Sequence, residues 1–350
     1  MSISDLRERV RAELLEFAWS QWAQLGLSSH ETRLDRWAID PEALILFTVE
    51  VARRDPRLFD ELLDWMSLNA RLLSLQRLRN LSARFLPDPG LLDAVVAWMF
   101  ESTPSIRWHV AKPQARRRGD SVPVFSKEVA SFVGKADPVF ESFGYLRPIA
   151  VRSGKSSEPD VRVPVSLAFR LRHLFGLGTR SEVMRILITF SDGPLDAARI
   201  ADETRFAKRN INDALTGLVT SGVVKARWSK NKRVFSVFRD KWSNILEIAP
   251  KASRLPTFVS WTHLLPALLK LLIELEQIQE QDSEYMVSSR ALKLVERIEK
   301  DLEVLDLTQT VGRRKPGGFP LRDFEELSDT LLRPIGSRRP QAQVSTSSLR

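Results

Sequence analysis

The chain has 350 residues, of which 43% are hydrophobic, and its 53 lysines and arginines exceed its 44 aspartates and glutamates, giving a formal net charge of +9. That length is enough for two or three globular domains, because one domain usually takes about 100 to 200 residues. The sequence contains no cysteine, which excludes disulfides, thiolate metal sites and a cysteine nucleophile and is typical of the reducing cytoplasm.

The sequence carries no recognisable targeting or membrane signal. Residues 1–15 are rich in charge and lack the apolar run of a signal peptide. The most apolar stretch, Leu264 to Leu275, is shorter than the about 18 apolar residues of a membrane span, and it contains Pro266 and two charged residues. We therefore expect a cytoplasmic protein that makes no membrane contact.

Apolar residues recur at helical spacing through residues 1–101, which indicates an N-terminal helical domain. Two of its helices have a strong start signal, an aspartate N-cap followed by a proline at the first helical position, at Asp40-Pro41 and Asp55-Pro56. The predicted helices run from Ser4 or Asp5 to Leu25, from Asp40 to about Arg53, from Asp55 to Asn69, and from Leu72 to Phe85.

Residues 102–164 contain seven prolines and only short apolar pieces, so the helical pattern ends there. We interpret this stretch as an irregular connecting region. It either lies over a neighbouring domain or forms a free linker, and the pattern leaves both possibilities open.

A second domain is predicted for residues 165–248, where three helices follow one another closely. Thr179 and Glu182 have the spacing of a capping box, which should begin the first of these helices. Asp196 is the predicted N-cap of the second helix. Only a short turn, residues 204–206, separates the second helix from the third.

The third predicted helix runs from Ala207 to Thr220 and has an apolar stripe along one face. Its opposite face and N-terminal end carry residue types that contact base edges in a DNA groove, namely Lys208, Arg209, Asn210, Asn212 and Asp213.

A β-hairpin should follow this helix. Gly222 stands where the end of a helix adopts a positive φ, and residues 223–228 and 233–238 alternate as two strands. We expect Trp228 to pack at the base of the hairpin; the alternative is a stacking platform. The tip of the hairpin and its flanks carry the polar and basic residues Arg227, Lys230, Asn231, Lys232 and Arg233.

Helix, short turn, helix, glycine and basic hairpin in this order resemble the winged helix-turn-helix regulators of the MarR and ArsR kind. The matching run extends from Ile200 to Val224. It departs from the family's pattern at Arg205, where such turns often have glycine, and at Ala207, where the third helix often begins with a serine or threonine cap.

This resemblance implies that the third helix lies in the major groove of double-stranded DNA while the hairpin, the wing, touches the backbone or the minor groove. The base contacts would then come from Lys208, Arg209, Asn210 and Asn212, and the phosphate contacts from Lys230, Lys232 and Arg233. The resemblance also implies a homodimer, because such modules generally bind two half-sites one turn of DNA apart.

The distribution of charge agrees with a polyanionic partner. From Arg205 to Lys241 there are ten basic residues against Asp213 and Asp240, a net charge of +8 in a chain whose total is +9. Such a local excess is typical of nucleic-acid-binding surfaces. The alternatives are a solvated hairpin tip and a winged helix that serves as a protein-docking module.

The C-terminal part is predicted to form a helical hairpin in residues 249–311, from the segments Trp261–Ile278 and Val287–Leu307. One face of the first segment is either a dimer interface or packs against the N-terminal domain; its residues are Leu264, Leu265, Leu268, Leu269, Leu272 and Leu275. Residues 312–350 are predicted to be a partly disordered tail.

The sequence shows no pattern of catalytic or metal-binding residues. His30, His109, His173 and His263 are far apart and have no metal-ligand spacing, so we interpret each as a structural or surface residue. A glycine-rich phosphate loop is also missing. We therefore expect no enzyme activity, no cofactor and no metal.

The sequence as a whole predicts a mainly α protein with a helical N-terminal domain, a winged helix-turn-helix domain with a small β-hairpin wing, and a C-terminal helical hairpin. Its expected function is sequence-specific binding of double-stranded DNA as a bacterial-type transcriptional regulator. A second resemblance, a long helical part before a winged helix, is to the regulator or antitoxin partners of nucleotidyltransferase toxins in abortive-infection systems, and it implies a toxin protein as partner. A structural or RNA-associated scaffold is a third interpretation.

Overall fold

The computed structural model is mainly helical. It describes residues 2–27, 36–103, 112–115, 121–126, 135–150, 152–246, 255–308 and 320–336. The α-helices of these ranges are α1 Ile3–Gln24, α2 Pro41–Val51, α3 Pro56–Asn69, α4 Leu75–Phe85, α5 Gly90–Ser102, α6 Pro138–Ser142, α7 Leu167–Phe175, α8 Thr179–Thr189, α9 Ala197–Thr204, α10 Lys208–Thr220, α11 Arg239–Ile245, α12 Trp261–Gln277, α13 Glu284–Val304 and α14 Pro320–Leu332.

Five short strands form two small sheets in the described ranges. The strands are β1 Val122–Pro123, β2 Tyr145–Leu146, β3 Leu195–Asp196, β4 Lys225–Ser229 and β5 Lys232–Ser236. Strands β1 and β2 are parallel, and the other three form an antiparallel sheet in the order β3-β5-β4. None of the described helices has both the length and the hydrophobicity needed to traverse a lipid bilayer.

The two aspartate-proline start signals are confirmed. The Asp40 carboxylate accepts a hydrogen bond from the backbone N–H of Ala43, and Asp55 caps α3 in the same way. Helix α1 begins earlier than predicted, because Ser2 and Asp5 cap each other's backbone N–H groups. Helix α4 begins later than predicted because Ser74 is its N-cap.

One hydrophobic core joins the N-terminal helices to the C-terminal ones. The ring of Trp261 on α12 lies 5.8 Å from that of Phe17 and 5.4 Å from that of Trp37. The leucine face of α12, from Leu264 to Leu275, is completely buried in this core. The proposed dimer interface on these leucines is therefore wrong, and the alternative, packing against the N-terminal helices, is confirmed.

Two segments without a clear sequence pattern also contribute to this first core. Phe140 on α6 and Tyr145 on β2, from the predicted connecting region, are buried in it. Phe324 and Leu331 on α14 are buried in it as well. Helix α14 lies inside the stretch that we predicted to be a partly disordered tail, so a part of that stretch is helical and packed.

A second, smaller core is formed by residues between 167 and 255 together with Ala38. It is built from one face each of helices α7 to α11 and from the inner side of the three-stranded sheet. Its largest contributors include Leu171, Ile186, Ile200, Leu215 and Phe235. This second core carries all ten residues that the sequence analysis proposed as a site.

The predicted capping box at the start of α8 is wrong. Thr179 is the first residue of the helix, and the residue before it is Gly178, which has no side chain with which to cap. Glu182 is buried, and its carboxylate accepts hydrogen bonds from Arg172 and Arg185. The glutamate is therefore engaged with arginines of α7 and α8 and is not available to the helix end.

Candidate nucleic-acid interface

Helices α9 and α10 meet at a turn that contains no glycine. Arg205 adopts the left-handed backbone conformation there, with φ of 59° and ψ of 24°, which usually favours glycine. Its guanidinium forms an ion pair with Asp202 at 3.0 Å and lies 3.1 Å from Nε2 of His263 on α12. The ion pair with Asp202 holds the Arg205 side chain in place in this backbone conformation.

His263 is fully buried and connects three helices. Its Nε2 lies 3.0 Å from a carboxylate oxygen of Asp202 on α9, and its Nδ1 lies 2.9 Å from Asp301 on α13. The hydrogen bond from His263, together with the nearby Arg205, holds the pKa of Asp202 well below its usual range. The turn between α9 and α10 is thus tied to the first core.

The outward face of α10 is polar and free. Among the residues that the structure describes, the five side chains predicted to contact bases are all exposed and have no ion pair or hydrogen bond. These are Lys208, Arg209, Asn210, Asn212 and Asp213. A ligand could bind them at the cost only of displacing water, because no contact inside the protein has to break.

The hairpin is tight and its tip is basic. Lys230 and Asn231 form a two-residue turn with φ of 44° and 61°, the combination of a type I′ turn. The five hairpin residues predicted as a site, Arg227, Lys230, Asn231, Lys232 and Arg233, are all exposed. Lys232 forms an ion pair with Asp196 at 3.3 Å, which links the hairpin to the start of α9.

A cleft joins the outward face of α10 to the hairpin. It has a volume of about 430 Å³ and is open to solvent. Lys208 and Asn212 line one wall, Lys232 and Arg233 line the other, and Asp196 with the first residues of α9 forms the end. Residues that are 20 or more positions apart in sequence, and that were predicted as two groups, therefore share one surface.

The remaining predicted residues of α10, Arg209, Asn210 and Asp213, do not line this cleft. Asn210 and Asp213 border a second, shallower depression together with Arg180 of α8. Thr216 was missed by the sequence analysis, although it lines the cleft. The sequence spacing could have predicted this position. Lys208, Asn212 and Thr216 follow one another at intervals of four residues and so lie on one stripe of the helix.

The hairpin residues do not all lie on the same face. In the antiparallel register, Arg227 is opposite Val234, and Trp228 is opposite Arg233. Neighbouring residues of a strand point to opposite faces, so Arg227 lies on the face away from Arg233. The five residues surround the hairpin tip and do not form a single row.

The prediction that Trp228 packs at the base of the hairpin is wrong. The side chain is 75% exposed. The residue pair nearer to the base, Ala226 and Phe235, packs against the second core, whereas Trp228 lies two residues further towards the tip of the hairpin. Strand alternation correctly places Trp228 on the face that packs against the second core. It does not show that this core ends before the strand reaches Trp228.

Some of the basic residues counted in the sequence do not contribute to this surface. Arg239 donates a hydrogen bond to the backbone carbonyl of Ile188 at 3.0 Å. The ammonium groups of Lys225 and Lys241 lie 3.5 and 5.0 Å from the centre of the Phe238 ring. The other exposed cations of α10 and the hairpin are Lys208, Arg209, Arg227, Lys230, Lys232 and Arg233.

A buried network of charged residues holds helices α7 to α11 and the three-stranded sheet, which carry the predicted site residues, against the first core. In this network each carboxylate is bound by guanidinium groups, and the residues come from the parts of the chain that form the two cores. They are the carboxylates of Asp40, Glu42 and Glu182 and the guanidinium groups of Arg77, Arg172 and Arg185, all less than a tenth exposed. Three negative and three positive charges balance, which is the condition under which buried ions are tolerated.

The contacts of this network cross from one core to the other. Arg172 on α7 binds Glu42 at 2.6 Å and Glu182 at 2.8 Å. Arg185 on α8 binds Asp40 at 2.9 Å. Burial alone would raise the pKa of Glu182, but the adjacent arginines outweigh it and hold the pKa well below its usual range.

The first core also reaches the α9–α10 turn directly. Arg77 on α4 forms an ion pair with Asp40 and donates a hydrogen bond to the backbone carbonyl of Thr204, the last residue of α9, at 2.9 Å. The orientation of α9 and α10 relative to the N-terminal helices is therefore set by several buried polar contacts.

Comparison with other proteins adds no assignment to this geometry. In the described ranges we find no cluster of three or more histidine, aspartate or glutamate side chains arranged to hold a metal ion. No protein-family model matches the chain, and no curated protein or solved structure is significantly similar to it.

Proposed function

We propose that residues 165–248 form a winged helix-turn-helix and that the protein binds double-stranded DNA in a sequence-specific way to regulate transcription. The observation that carries this proposal is the shared cleft, in which polar residues of α10 and basic residues of the hairpin face the same volume. A helix and a hairpin that flank a basic cleft match the two elements with which this class of module holds a duplex.

Helix α10 is the element proposed to enter the major groove. A major groove about 12 Å wide admits an α-helix, and the exposed side chains on α10 have the chemistry to distinguish base edges. Arg209 can donate two hydrogen bonds to guanine, and Asn210 or Asn212 can form the paired donor and acceptor contact with adenine. These residues would supply the specificity.

The hairpin is the element proposed to bind the backbone. Lys230, Lys232 and Arg233 are exposed, and their cations would replace the counterions condensed on the phosphates. Because Arg227 lies on the other face of the hairpin, it would contact a different phosphate from Arg233. These contacts would supply affinity that depends on salt.

The proposal includes a homodimer and a role without catalysis or cofactor. Two half-sites one turn of DNA apart would be bound by two copies of α10. Because the leucines of α12 are buried in the first core, the dimer interface has to lie elsewhere on the molecule.

The test is selection from a library of random 30-base-pair duplexes with the full chain, followed by sequencing and measurement of affinity. We expect enrichment of one sequence, bound at physiological salt at least about 1,000-fold more tightly than a random duplex. If selection enriches no sequence and the affinity for every duplex is equally weak, the proposed function is wrong.

A further inference from the structure

Trp228 is a large aromatic side chain near the tip of the hairpin, and 75% of its surface is exposed. Single exposed apolar residues are common on proteins and need no explanation of their own. Its position relative to the cleft is what makes this residue informative.

The strand register places Trp228 on the same face of the hairpin as two residues that line the cleft. Trp228 is opposite Arg233, and Ala226 is opposite Phe235. Directly opposite residues of an antiparallel pair share a face, so the indole lies on the face that carries Arg233 and Phe235. Both of these residues line the cleft, and the indole lies on their face of the hairpin, directly opposite Arg233.

The neighbours of the indole decide what kind of partner could cover it. The cations of Lys208 and Arg233 line the cleft beside it, so an apolar protein surface that covered Trp228 and extended over them would leave their charges without a partner. Duplex DNA can cover the indole and also neutralise the neighbouring cations. Its phosphates pair with the cations, while its base edges and sugars offer apolar surface beside them.

We infer that Trp228 is a DNA-contacting residue whose indole packs against a base step and its deoxyribose in the groove that the hairpin enters. The inference rests on the proposed function and adds a contact that is independent of charge. Apolar side chains insert most easily where stacking is weak, at pyrimidine–purine steps. Trp228 thereby makes the hairpin selective for a deformable step in addition to holding the backbone.

The test compares the wild type, Trp228→Phe and Trp228→Ala on the duplex enriched by selection. We expect Trp228→Ala to bind about 5- to 100-fold more weakly, the range found when an aromatic ring that stacks on a base is removed, and Trp228→Phe to keep most of the affinity. The slope of affinity against salt should stay unchanged in both variants, because no charge is removed.

The matched control is Tyr285→Ala, since Tyr285 is 74% exposed on α13, outside the cleft. It should bind as the wild type does. The wild-type emission of tryptophan should fall when the duplex is added, and this quenching should be smaller in Trp228→Phe.

Three outcomes would overturn the inference. Unchanged affinity of Trp228→Ala on a duplex that the wild type selects would remove Trp228 from the interface while leaving the proposed function intact. A reduced salt slope would mean that the substitution displaces the hairpin cations and acts through structure alone. Failure of the wild type to select any duplex would overturn both proposals together.

Discussion

At the scale of single residues, Arg205 shows how a side chain can replace a glycine in a tight turn. Its positive φ of 59° costs an L-amino acid about 1–2 kcal/mol relative to the right-handed region. The ion pair with Asp202 offsets a part of that cost. The neighbouring residues Thr204 and Asp202 are in turn bound by Arg77 on α4 and His263 on α12, so helices of the first core also hold the turn.

The relative stability of two substitutions tests this account of the turn. Arg205→Gly loses the ion pair but relieves the backbone, whereas Arg205→Ala loses the ion pair and keeps the unfavourable φ. We expect Arg205→Ala to be less stable than Arg205→Gly by about 1 kcal/mol, measured as the free energy of unfolding in urea. Equal stability of the two variants would show that the turn does not need the left-handed conformation.

At the scale of elements, α10 and the hairpin have different tasks in the proposed interface. The helix presents side chains that discriminate bases, while the hairpin presents cations around a two-residue turn. Substitutions in the two elements should therefore have different signatures. Loss of a base contact changes the choice of sequence, and loss of a phosphate contact changes the dependence on salt.

The double substitution of Lys230 and Lys232 by alanine tests the task of the hairpin. Each lost phosphate contact should lower the slope of log affinity against log salt by about 0.9, so we expect the slope to fall by about 1.8 while the selected sequence stays the same. The matched control replaces Lys155 and Lys293, two exposed lysines away from the cleft. An unaltered slope in the hairpin variant would remove the wing from the interface.

Elements with a local cause could be predicted from the sequence. The aspartate caps at Asp40, Asp55 and Asp196 depend on residues within one helical turn, and each was placed correctly. The exposed residues of α10 follow from helical periodicity and are all exposed in the structure. Helix α11 was missed because it is short and directly follows a strand.

Features with a long-range cause could not be predicted. Glu182 has the spacing of a capping residue, but arginines from two helices bind it. Trp228 lies on the expected strand face, but its exposure depends on where the neighbouring helices end. The leucines of α12 have the pattern of an interface, and only the tertiary packing shows that they face the protein's own core.

At the scale of the whole molecule, the buried charge network connects the two hydrophobic cores. Asp40 and Glu42 belong to the start of α2, whereas Arg172, Glu182 and Arg185 belong to the unit that carries the cleft. Removing one partner of such a network leaves a buried charge without compensation, at a cost of about 3–5 kcal/mol. The network should therefore control both stability and the orientation of the site.

The pH dependence of stability tests this role. The folded-state pKa of Asp40 and of Glu182 lies below the ordinary value, so their contribution is present in full above the pKa of the unfolded chain and is lost as the pH falls towards the folded-state pKa. We expect the urea concentration at the midpoint of unfolding to be constant down to about pH 5 and to fall at lower pH. Glu182→Gln should lower the midpoint at pH 7 and flatten this fall.

The control for this substitution is Glu299→Gln, which changes an exposed glutamate on α13. It should leave the midpoint and its pH dependence close to those of the wild type. A steep fall below pH 5 that persists unchanged in Glu182→Gln would show that other carboxylates are responsible for the loss of stability in acid.

The central claim, that α10 reads bases in a DNA groove, is tested most directly by the substitution of Arg209 and Asn210 together with alanine. Both side chains are exposed and lie outside the hydrophobic cores, so the fold should persist, with circular dichroism as the check. The measurement is the ratio of affinities for the selected duplex and for a scrambled duplex of the same composition. We predict that this ratio falls at least about tenfold, because each paired base contact contributes about 1–3 kcal/mol of discrimination. An unchanged ratio in a folded variant would contradict the assignment of α10 as the recognition helix.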